Sequence, residues 1–498
     1  MSSLLTRIAL MVSFAVAGAL ALFVLTGVLS EGRQQNDAVA DQLGRGLAAL
    51  LGTGQPFPPG LLTVRDDGEA YNVIIQAAAS GVIRTDETGQ TTDRWLSAVV
   101  RPEGRTRLRF DRAAFPASIR LTPEAAIHLA GVIGPGWPSR PSDEPMIALR
   151  TQSRSLSGLY DNDPGRDSRF ELRAEGIEFD TRHFAGWPDR HVAIGRASGL
   201  SRFRQTAAGV ADVGAEVTLD GYTSVTENPV LGALRVSARQ VVTAGEFGSV
   251  MPGRLTAALS AIFAHNSDAA ARRAGLRSLV PGTGGVIGNI KMDETLEGLD
   301  IRGRAGAATI DRAHFSIGAG ATAGRLQLFM ELATGGLHFP DLPSQYTVFV
   351  PRSVTIRTAF SNLDAAAVDR LLQDLSFPDT GPTMTGVKPV NFNGLDGARL
   401  RFEYFDADLG YATVTASFDA TVAETGGLKG QADVAMTGLD ELMKQVQGMP
   451  NSGRVMAALA TLKGLGKLEH EQIVWHIVFS DSGKVMVNGI DLTALGAR

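Results

Sequence analysis

The histidines and carboxylates are the side chains with which this sequence could do acid–base or metal chemistry, and their spacing specifies neither. The chain has eight histidines, but none belongs to an HExxH motif and none pairs with another at helical spacing beside a carboxylate. His183 and His191 flank Trp187-Pro188, and His470 and His476 flank the start of a predicted strand. We predict ordinary surface or core histidines, and a metal site assembled from distant segments stays open.

Three pairs of acidic residues, each taken alone, fit glycosidase or calcium chemistry. They are Asp66-Asp67, Asp161/Asp163 and Glu403/Asp406. Asp161 opens like a calcium loop, but Pro164-Gly165 follows and the distal glutamate is missing at the required spacing. We interpret all three pairs as solvated turns and assign no catalytic residue.

Residues 282–288 are glycine-rich like a nucleotide-binding loop but lack its spacing. The last glycine of the dinucleotide fingerprint would fall on Ile287, and no lysine follows as a phosphate loop requires. We predict a turn between strands here, and a hairpin turn at residues 480–483, where no nucleophile elbow exists. The chain contains no cysteine, which excludes disulfides, thiolate metal sites and cysteine nucleophiles. No cofactor is implied.

One stretch of the chain is strongly basic. Its arginines are Arg101, Arg105, Arg107, Arg109 and Arg112. They could meet anionic lipid headgroups or peptidoglycan. Alternation, however, places the middle three on one face of a strand, so we interpret them as its solvent-facing side. The formal net charge of −5 gives the chain no nucleic-acid signature.

The longest uncharged apolar run near the start is residues 8–29. As a helix it would span about 33 Å, enough for a hydrocarbon core of about 30 Å. We predict a single-pass anchor in a bacterial inner membrane, with residues 1–7 in the cytoplasm and the bulk of the chain in the periplasm. The alternative is a signal peptide cleaved near residues 19–21, but the apolar run is longer than usual for one.

The remaining chain has the composition of a folded protein, with 44% hydrophobic residues. Glycine- and proline-rich breaks at residues 52–60 and 134–142 suggest domain boundaries. We predict a stalk and linker over residues 30–59, a small α+β subdomain over 60–142, and a large β-rich extracytoplasmic domain over 143–498.

Alternation of apolar and polar residues predicts antiparallel strands with one face on a core. In the clearest case we expect one shared interior for side chains of two neighbouring strands: Leu400, Phe402, Tyr404, Val414, Ala416 and Phe418. Residues 473–479 are apolar on both faces, which predicts a more buried strand. His476, on the face of Val474 and Val478, should then be half-buried and hydrogen-bonded. Residues 484–487 should return as a hairpin.

Helical periodicity marks the stalk and several short segments between the strands. We predict helices over residues 125–132, 252–273, 365–375, 439–446 and 455–465, the third capped by residues 361–364. The predicted fold class is α+β with β dominant: an N-terminal transmembrane helix, then extended antiparallel sheets with a few capping helices.

The C-terminal passage carries a family resemblance. A leucine- and alanine-rich helix at 455–466 precedes the strand around Trp475, and Gly483-Lys-Val-Met-Val-Asn-Gly-Ile-Asp-Leu492 closes the protein. This ending, with residues 172–177 and 362–366, resembles an uncharacterised family of alphaproteobacterial membrane-anchored or secreted envelope proteins. That family is distantly similar to AsmA-like envelope proteins. The resemblance implies an N-terminal anchor and long amphipathic sheets that handle lipid, and it supplies no catalytic residues.

Two classes of function follow. The first is a non-enzymatic envelope protein, held at the inner membrane by residues 8–29, whose sheet binds a lipid, another amphipathic ligand or an envelope protein. The second is a periplasmic hydrolase with a site assembled from dispersed acids and histidines. A scaffold for an envelope complex is a further alternative. An apolar groove would favour the first function, and a cleft with converging carboxylates or histidines the second.

Overall fold

A computed structural model describes residues 62–66, 71–76, 82–85, 88–91, 94–100, 106–110, 118–121, 147–160, 167–181, 189–207, 210–228, 232–251, 254–255, 258, 269–281, 285–304, 306–364, 367, 395–423, 427–449, 452–480 and 484–492. They are β-dominant, with a large antiparallel sheet and few helices, as predicted. Within these ranges no helix is both long and apolar enough to cross a bilayer. The predicted anchor and stalk, and the helix predicted over 125–132, lie outside them.

The strands, β1 to β23 in chain order, are Leu62–Asp66, Tyr71–Gln76, Val82–Thr85, Arg94–Val100, Thr106–Phe110, Ser118–Leu121, Ile147–Arg150, Ser153–Tyr160, Asp167–Thr181, Arg190–Ala207, Val210–Asn228, Gly232–Val250, Asn289–Gly303, Gly306–Thr322, Arg325–Gly335, Ser353–Leu363, Arg399–Asp408, Thr413–Val422, Leu428–Thr437, Lys467–Glu469, Gln472–Phe479, Val485–Val487 and Ile490–Asp491. Alternation predicted the strand content well, and β21 and β22 form the expected antiparallel hairpin.

Three α-helices are described: α1 Ala269–Leu279, α2 Leu439–Gln447 and α3 Gly453–Leu465. The last two confirm the predicted helices over 439–446 and 455–465. A 3₁₀ helix spans Ser344–Phe349. The C-terminal end predicted for the helix over 252–273 is wrong, since α1 ends at Leu279. Asp364 accepts a hydrogen bond from the backbone N–H of Ala367 at 2.8 Å, which confirms the cap predicted for the third helix.

The chain divides into two compact units between Met292 and Asp293, within β13. In the first unit, antiparallel pairing connects β1, β2, β4, β5, β8, β9, β10, β11 and β12 in that order. β7 also pairs with β9, on the same edge as β8. Gln152 lies between β7 and β8 and also bonds to β9, because its N–H donates to Glu175 O at 2.9 Å.

The long strands of the first unit change phase together. Ala197, Leu219 and Val241 face each other across β10, β11 and β12 and are all buried. Ile194, Tyr222 and Ala238 each lie three positions away on the same strands. They also face each other, and Tyr222 and Ala238 are buried. Because same-face residues in a regular strand are an even number apart, every strand has shifted by one residue at this level. The register between strands is unchanged.

Glycines mark the level of this shift. Gly176, Gly195 and Gly221 lie side by side on β9, β10 and β11. Gly176 and Gly221 have φ of +57° and +66°, a region that residues with a Cβ avoid. We call these three residues the glycine row.

Residues 285–288 pack at the end of the first unit. Val286 and Ile287 are buried against Val250 and Leu255, and the N–H of Val286 donates to Ser278 O. The predicted turn between strands is therefore wrong in one respect, because the segment leads from a helix, α1, into β13. Its apolar side chains close a small core cluster.

In the second unit, β14, β15, β16, β17, β18, β19 and β21 pair antiparallel in that order. β20 and β22 both pair with β21, and β23 pairs with β22. Helices α2 and α3 cover one end of this sheet. Leu442, Val446 and Leu459 of the helices are buried against Ile473 and Trp475 of β21.

The register gives this sheet one apolar and one polar face. Phe402, Phe418 and Ala432 face each other across β17, β18 and β19. Arg401 and Asp419 do so on the opposite side. The predicted face holds for Leu400, Phe402, Val414, Ala416 and Phe418, with one exception in β17.

Candidate functional site

The polar face of the second unit carries an open groove across β17, β18, β19 and β21. Its cavity volume is ≈ 460 Å³. The short side chains of Thr415, Ser417 and Ala435 lie along its middle, and Tyr404 and Val474 lie at its two sides. Its carboxylates are Glu403, Asp406 and Asp433. The groove therefore combines an aromatic ring, hydroxyls and carboxylates on the polar face of the sheet.

A β-bulge places two of these side chains. Phe402 pairs with Phe418, but Phe405 pairs with Ala416, so Glu403 and Tyr404 together oppose one residue of β18. The bulge shifts the phase of β17, and Tyr404 pairs on the polar face with Arg357 of β16. The prediction that Tyr404 faces the apolar interior is therefore wrong, and 38% of this residue is exposed. Phe405 takes the apolar position in its place.

Arg357 holds the carboxylate of Glu403 at the edge of the groove. Its Nε lies 2.8 Å from Glu403 Oε2, and its Nη1 lies 3.7 Å from Glu331 Oε2. The guanidinium also lies 5.6 Å from the ring centroid of Phe329, a cation–π contact. That ring in turn covers Gly318 on β14, where a Cβ would have no room. The ion pairs and the contact with Phe329 together position the guanidinium of Arg357 beside Glu403.

His476 holds a second carboxylate, on the other side of the groove. Its Nδ1 lies 2.6 Å from Asp433 Oδ1, and its Nε2 lies 3.6 Å from Glu469 Oε1. The hydrogen bond to Asp433, with the added attraction of both carboxylates, raises the pKa of His476 above its ordinary value. His476 is hydrogen-bonded as predicted, but the prediction that it is half-buried is wrong, because the residue is exposed. However, the predicted burial of its strand on both faces is wrong, because Val478 is 50% exposed.

Asn488 fixes the strand that carries His476. Its Oδ1 accepts the backbone N–H of His476 at 3.0 Å, and its Nδ2 donates to Leu465 O and Val474 O. Its φ of +46° is one that asparagine tolerates better than most residues. The turn at Asn488-Gly489 therefore also positions the histidine.

The opposite, apolar face is closed at its ends and partly open between them. At one end Leu326, Leu363 and Val422 are almost completely buried, and at the other end lie α2 and α3. The side chains between them are half-buried or exposed, and we call them the apolar band: Leu328, Met330, Leu332, Ile356, Phe360, Leu400, Phe402, Phe405 and Phe418.

Aromatic rings continue across this face of the sheet. The ring centroids of Phe402 and Phe418 are 5.2 Å apart, and those of Phe418 and Phe479 are 5.7 Å apart. Both spacings lie within the range of attractive ring contacts. The apolar band is therefore bordered beside β21 by aromatic rings that contact one another.

The structure brings together few of the residues that the sequence singled out. Glu403 and Asp406 line the groove rather than forming an isolated turn. His191 instead pairs with Asp180 in the first unit, with Nδ1 2.7 Å from Oδ1. Asp67, Asp161, Asp163, His183, and Arg101, Arg105 and Arg112 of the basic stretch lie outside the described residues.

Sequence reasoning missed Arg357, Asp433 and Glu469 as partners of the groove. Asp433 and His476 are 43 residues apart in the chain, so only the pairing of β19 with β21 reveals their contact. Among the described residues, no group of histidines and carboxylates is arranged to hold a metal ion.

These features describe an antiparallel sheet with a groove on its polar face and an apolar band on its opposite face. No protein-family model, no curated protein and no solved structure matches the chain.

Proposed function

We propose that the chain is a non-enzymatic, membrane-anchored envelope protein whose second unit holds an amphipathic ligand, such as a lipid, on the apolar band. The observation that carries this proposal is the incomplete burial of the band between two closed ends. We expect a sheet that used this face only for its own core to bury the phenylalanines there more fully.

The energetics favour an apolar occupant. Removing apolar surface from water contributes about 25 cal/mol per Å², or about 0.8 kcal/mol per methylene group. Leu332 leaves 39% of its surface exposed, and its neighbours in the band are partly exposed. An acyl chain along the band would cover these side chains and bury its own surface. The polar face, with its ion pairs, offers no comparable gain.

The proposed location agrees with this occupant. Residues 8–29 are apolar enough to serve as an anchor, and an anchored body stays within reach of membrane lipid. The resemblance to envelope proteins with long amphipathic sheets points in the same direction. Both supports come from the sequence.

Photo-crosslinking of the full chain in nanodiscs tests the proposal. The nanodiscs contain a phospholipid with a photoactivatable group in its acyl chain, and peptide mass spectrometry locates the adducts. We expect adducts on peptides containing Leu332, Phe402 and Phe418. Leu332→Glu, at an exposed position of the band, should remove them. The matched variant Thr421→Glu, on the polar face of β18, should leave them unchanged. Adducts confined to residues 8–29 would contradict the proposal.

A periplasmic hydrolase is the second candidate, and the groove favours it. Three carboxylates line the groove, and one of them is hydrogen-bonded to His476, an arrangement that acid–base catalysis can use. Hydrolysis of chromogenic esters, phosphoesters and glycosides by the full chain, abolished in both Asp433→Asn and His476→Gln, would support this candidate. Activity that persists in both variants would come from elsewhere.

A further inference from the structure

We propose that the groove on the polar face binds a neutral saccharide. The groove lies on the opposite face of the sheet from the apolar band, so this inference does not depend on the proposed lipid site. It rests on the shape of the groove, its aromatic ring and the state of its carboxylates.

The shape of the groove suits an extended polar ligand. It is open to solvent along the sheet, with a volume of ≈ 460 Å³, within the range of small-molecule sites. Thr415 and Ser417 are exposed in its middle, and Ala435 beside them is small. A sugar ring can therefore approach the strands closely, and the two hydroxyls can exchange hydrogen bonds with it.

Tyr404 supplies the aromatic surface. The bulge in β17 brings this ring to the polar face, where 38% of the residue is exposed beside the groove. An exposed aromatic ring on a polar surface offers an apolar plane on which the C–H side of a sugar ring can pack. The tyrosine hydroxyl remains available at the rim as a donor or acceptor.

The carboxylates favour a neutral ligand over a polycation. Arg357 already compensates Glu403, and His476 already binds Asp433. Asp406 is exposed and makes no ion pair with another described residue. Carboxylate oxygens held in place in this way can accept hydrogen bonds from sugar hydroxyls. Such hydrogen bonds are strong because the acceptor is charged. A highly charged cation would find two of the three carboxylates already bound, to Arg357 and to His476.

Saturation-transfer NMR on the full chain in nanodiscs tests the proposal with four probes: the hexasaccharides of β-1,4-glucose, β-1,4-N-acetylglucosamine, α-1,4-glucose and β-1,3-glucose. We expect saturation transfer to at least one of them at concentrations up to about 10 mM, since an open site binds weakly. Spermine serves as the cationic probe in a parallel titration.

Four variants assign the signal to the groove. Tyr404→Ala should weaken binding about 10-fold, whereas Tyr404→Phe should keep most of it because the ring remains. Tyr411→Ala is the matched control, since Tyr411 is 46% exposed and does not line the groove. Asp406→Asn should weaken binding less than Tyr404→Ala. Circular dichroism checks that each variant is folded.

The outcomes separate clearly. Saccharide binding lost in Tyr404→Ala and kept in Tyr411→Ala supports the proposal. No transfer to any hexasaccharide would overturn it, as would equal binding by Tyr404→Ala and the parent chain. Binding of spermine alone would also overturn it, because the groove would then act as a cation site.

Discussion

The two units of this protein interrupt the alternation of their strands in different ways. In the first unit β9, β10, β11 and β12 all shift at the level of the glycine row, so neighbouring strands stay in register. In the second unit β17 shifts alone at residues 403–404, where the pairing with both β16 and β18 is irregular, and a separate irregularity lies between β15 and β16 at Leu326–Leu328. The first interruption belongs to a whole sheet segment and the second to a single strand.

The difference separates a feature of the fold from a feature of a site. A shared shift changes which side chains face the core in every strand and cannot be altered in one strand alone. A solitary bulge changes the direction of a few side chains while the neighbours keep their phase. In β17 it sends Tyr404 to the groove and leaves Phe405 on the apolar band. We infer that the first interruption sets stability and the second sets binding chemistry.

Deleting one residue at each interruption should give the largest contrast. Deletion of Gly221 puts one half of β11 out of phase with both neighbours, so buried residues such as Tyr222 and Ser224 turn outward. We expect a loss of about 4 kcal/mol or more. Deletion of Glu403 removes the bulge, and Tyr404 alone then opposes Ser417. We expect that loss to stay within about 1 kcal/mol.

Hydrogen exchange read by mass spectrometry distinguishes these two outcomes. Peptides from β9–β12 should lose protection when Gly221 is deleted, while peptides from β16–β19 should keep it when Glu403 is deleted. Equal loss of protection in both deletions would remove the distinction between the two interruptions.

A point substitution in the glycine row should have a smaller effect. Gly221 has φ of +66° and no atom closer than 3.7 Å to an added Cβ, so alanine there suffers backbone strain rather than a clash. We expect Gly221→Ala to lower the free energy of unfolding by about 1–2 kcal/mol. Gly214→Ala, on the same strand with only one contact at 4.0 Å, is the control and should be neutral or slightly stabilising. Urea denaturation that finds the two variants equal would contradict the assigned strain.

These comparisons also show what the sequence could and could not predict. Strands β21 and β22 begin within one residue of the expected positions and end at them, because apolar runs and turn residues are local signals. Tyr404 was misplaced because residues 398–404 alternate without a visible break, and the bulge exists only in the pairing with β16 and β18. Asp433 and His476 meet through strands joined after two intervening helices, which no local pattern encodes. The groove could therefore not be assembled from the sequence.

A smaller effect is expected at an ion pair on the polar face. Arg399 donates to Asp419 Oδ1 at 2.7 Å, and this hydrogen bond holds the pKa of Asp419 below its ordinary value. A carboxylate with a lowered pKa stabilises the fold above its unfolded pKa, and that contribution is lost as the pH falls through the folded pKa. Asp419→Asn should cost about 0.5–1 kcal/mol at neutral pH. Urea titrations at decreasing pH should find this difference vanishing, and a constant difference would contradict it.

His476 should show the opposite pH dependence and the smallest effect. Its pKa is raised, chiefly by Asp433, so its contribution to stability is present below the ordinary histidine pKa and is lost as the pH rises through the folded pKa. Asp433→Asn should return the pKa toward its ordinary value, and Glu469→Gln should lower it less. NMR titration of the His476 Cε1–H gives the pKa of this histidine in the parent chain and in both variants. A larger effect of Glu469→Gln would reverse the assigned order of the two carboxylates.

The two faces of the second unit's sheet should differ in what they bind, and a pair of spin labels compares them. Because the chain has no cysteine, single cysteines at Leu332 on the apolar band and Ser417 in the groove can be labelled selectively. Electron paramagnetic resonance of the full chain in nanodiscs then compares collisions with oxygen and with a water-soluble nickel complex. We expect lipid to shield the label at Leu332 from the nickel complex and to leave the label at Ser417 accessible. Equal exposure of both labels to the nickel complex would contradict it.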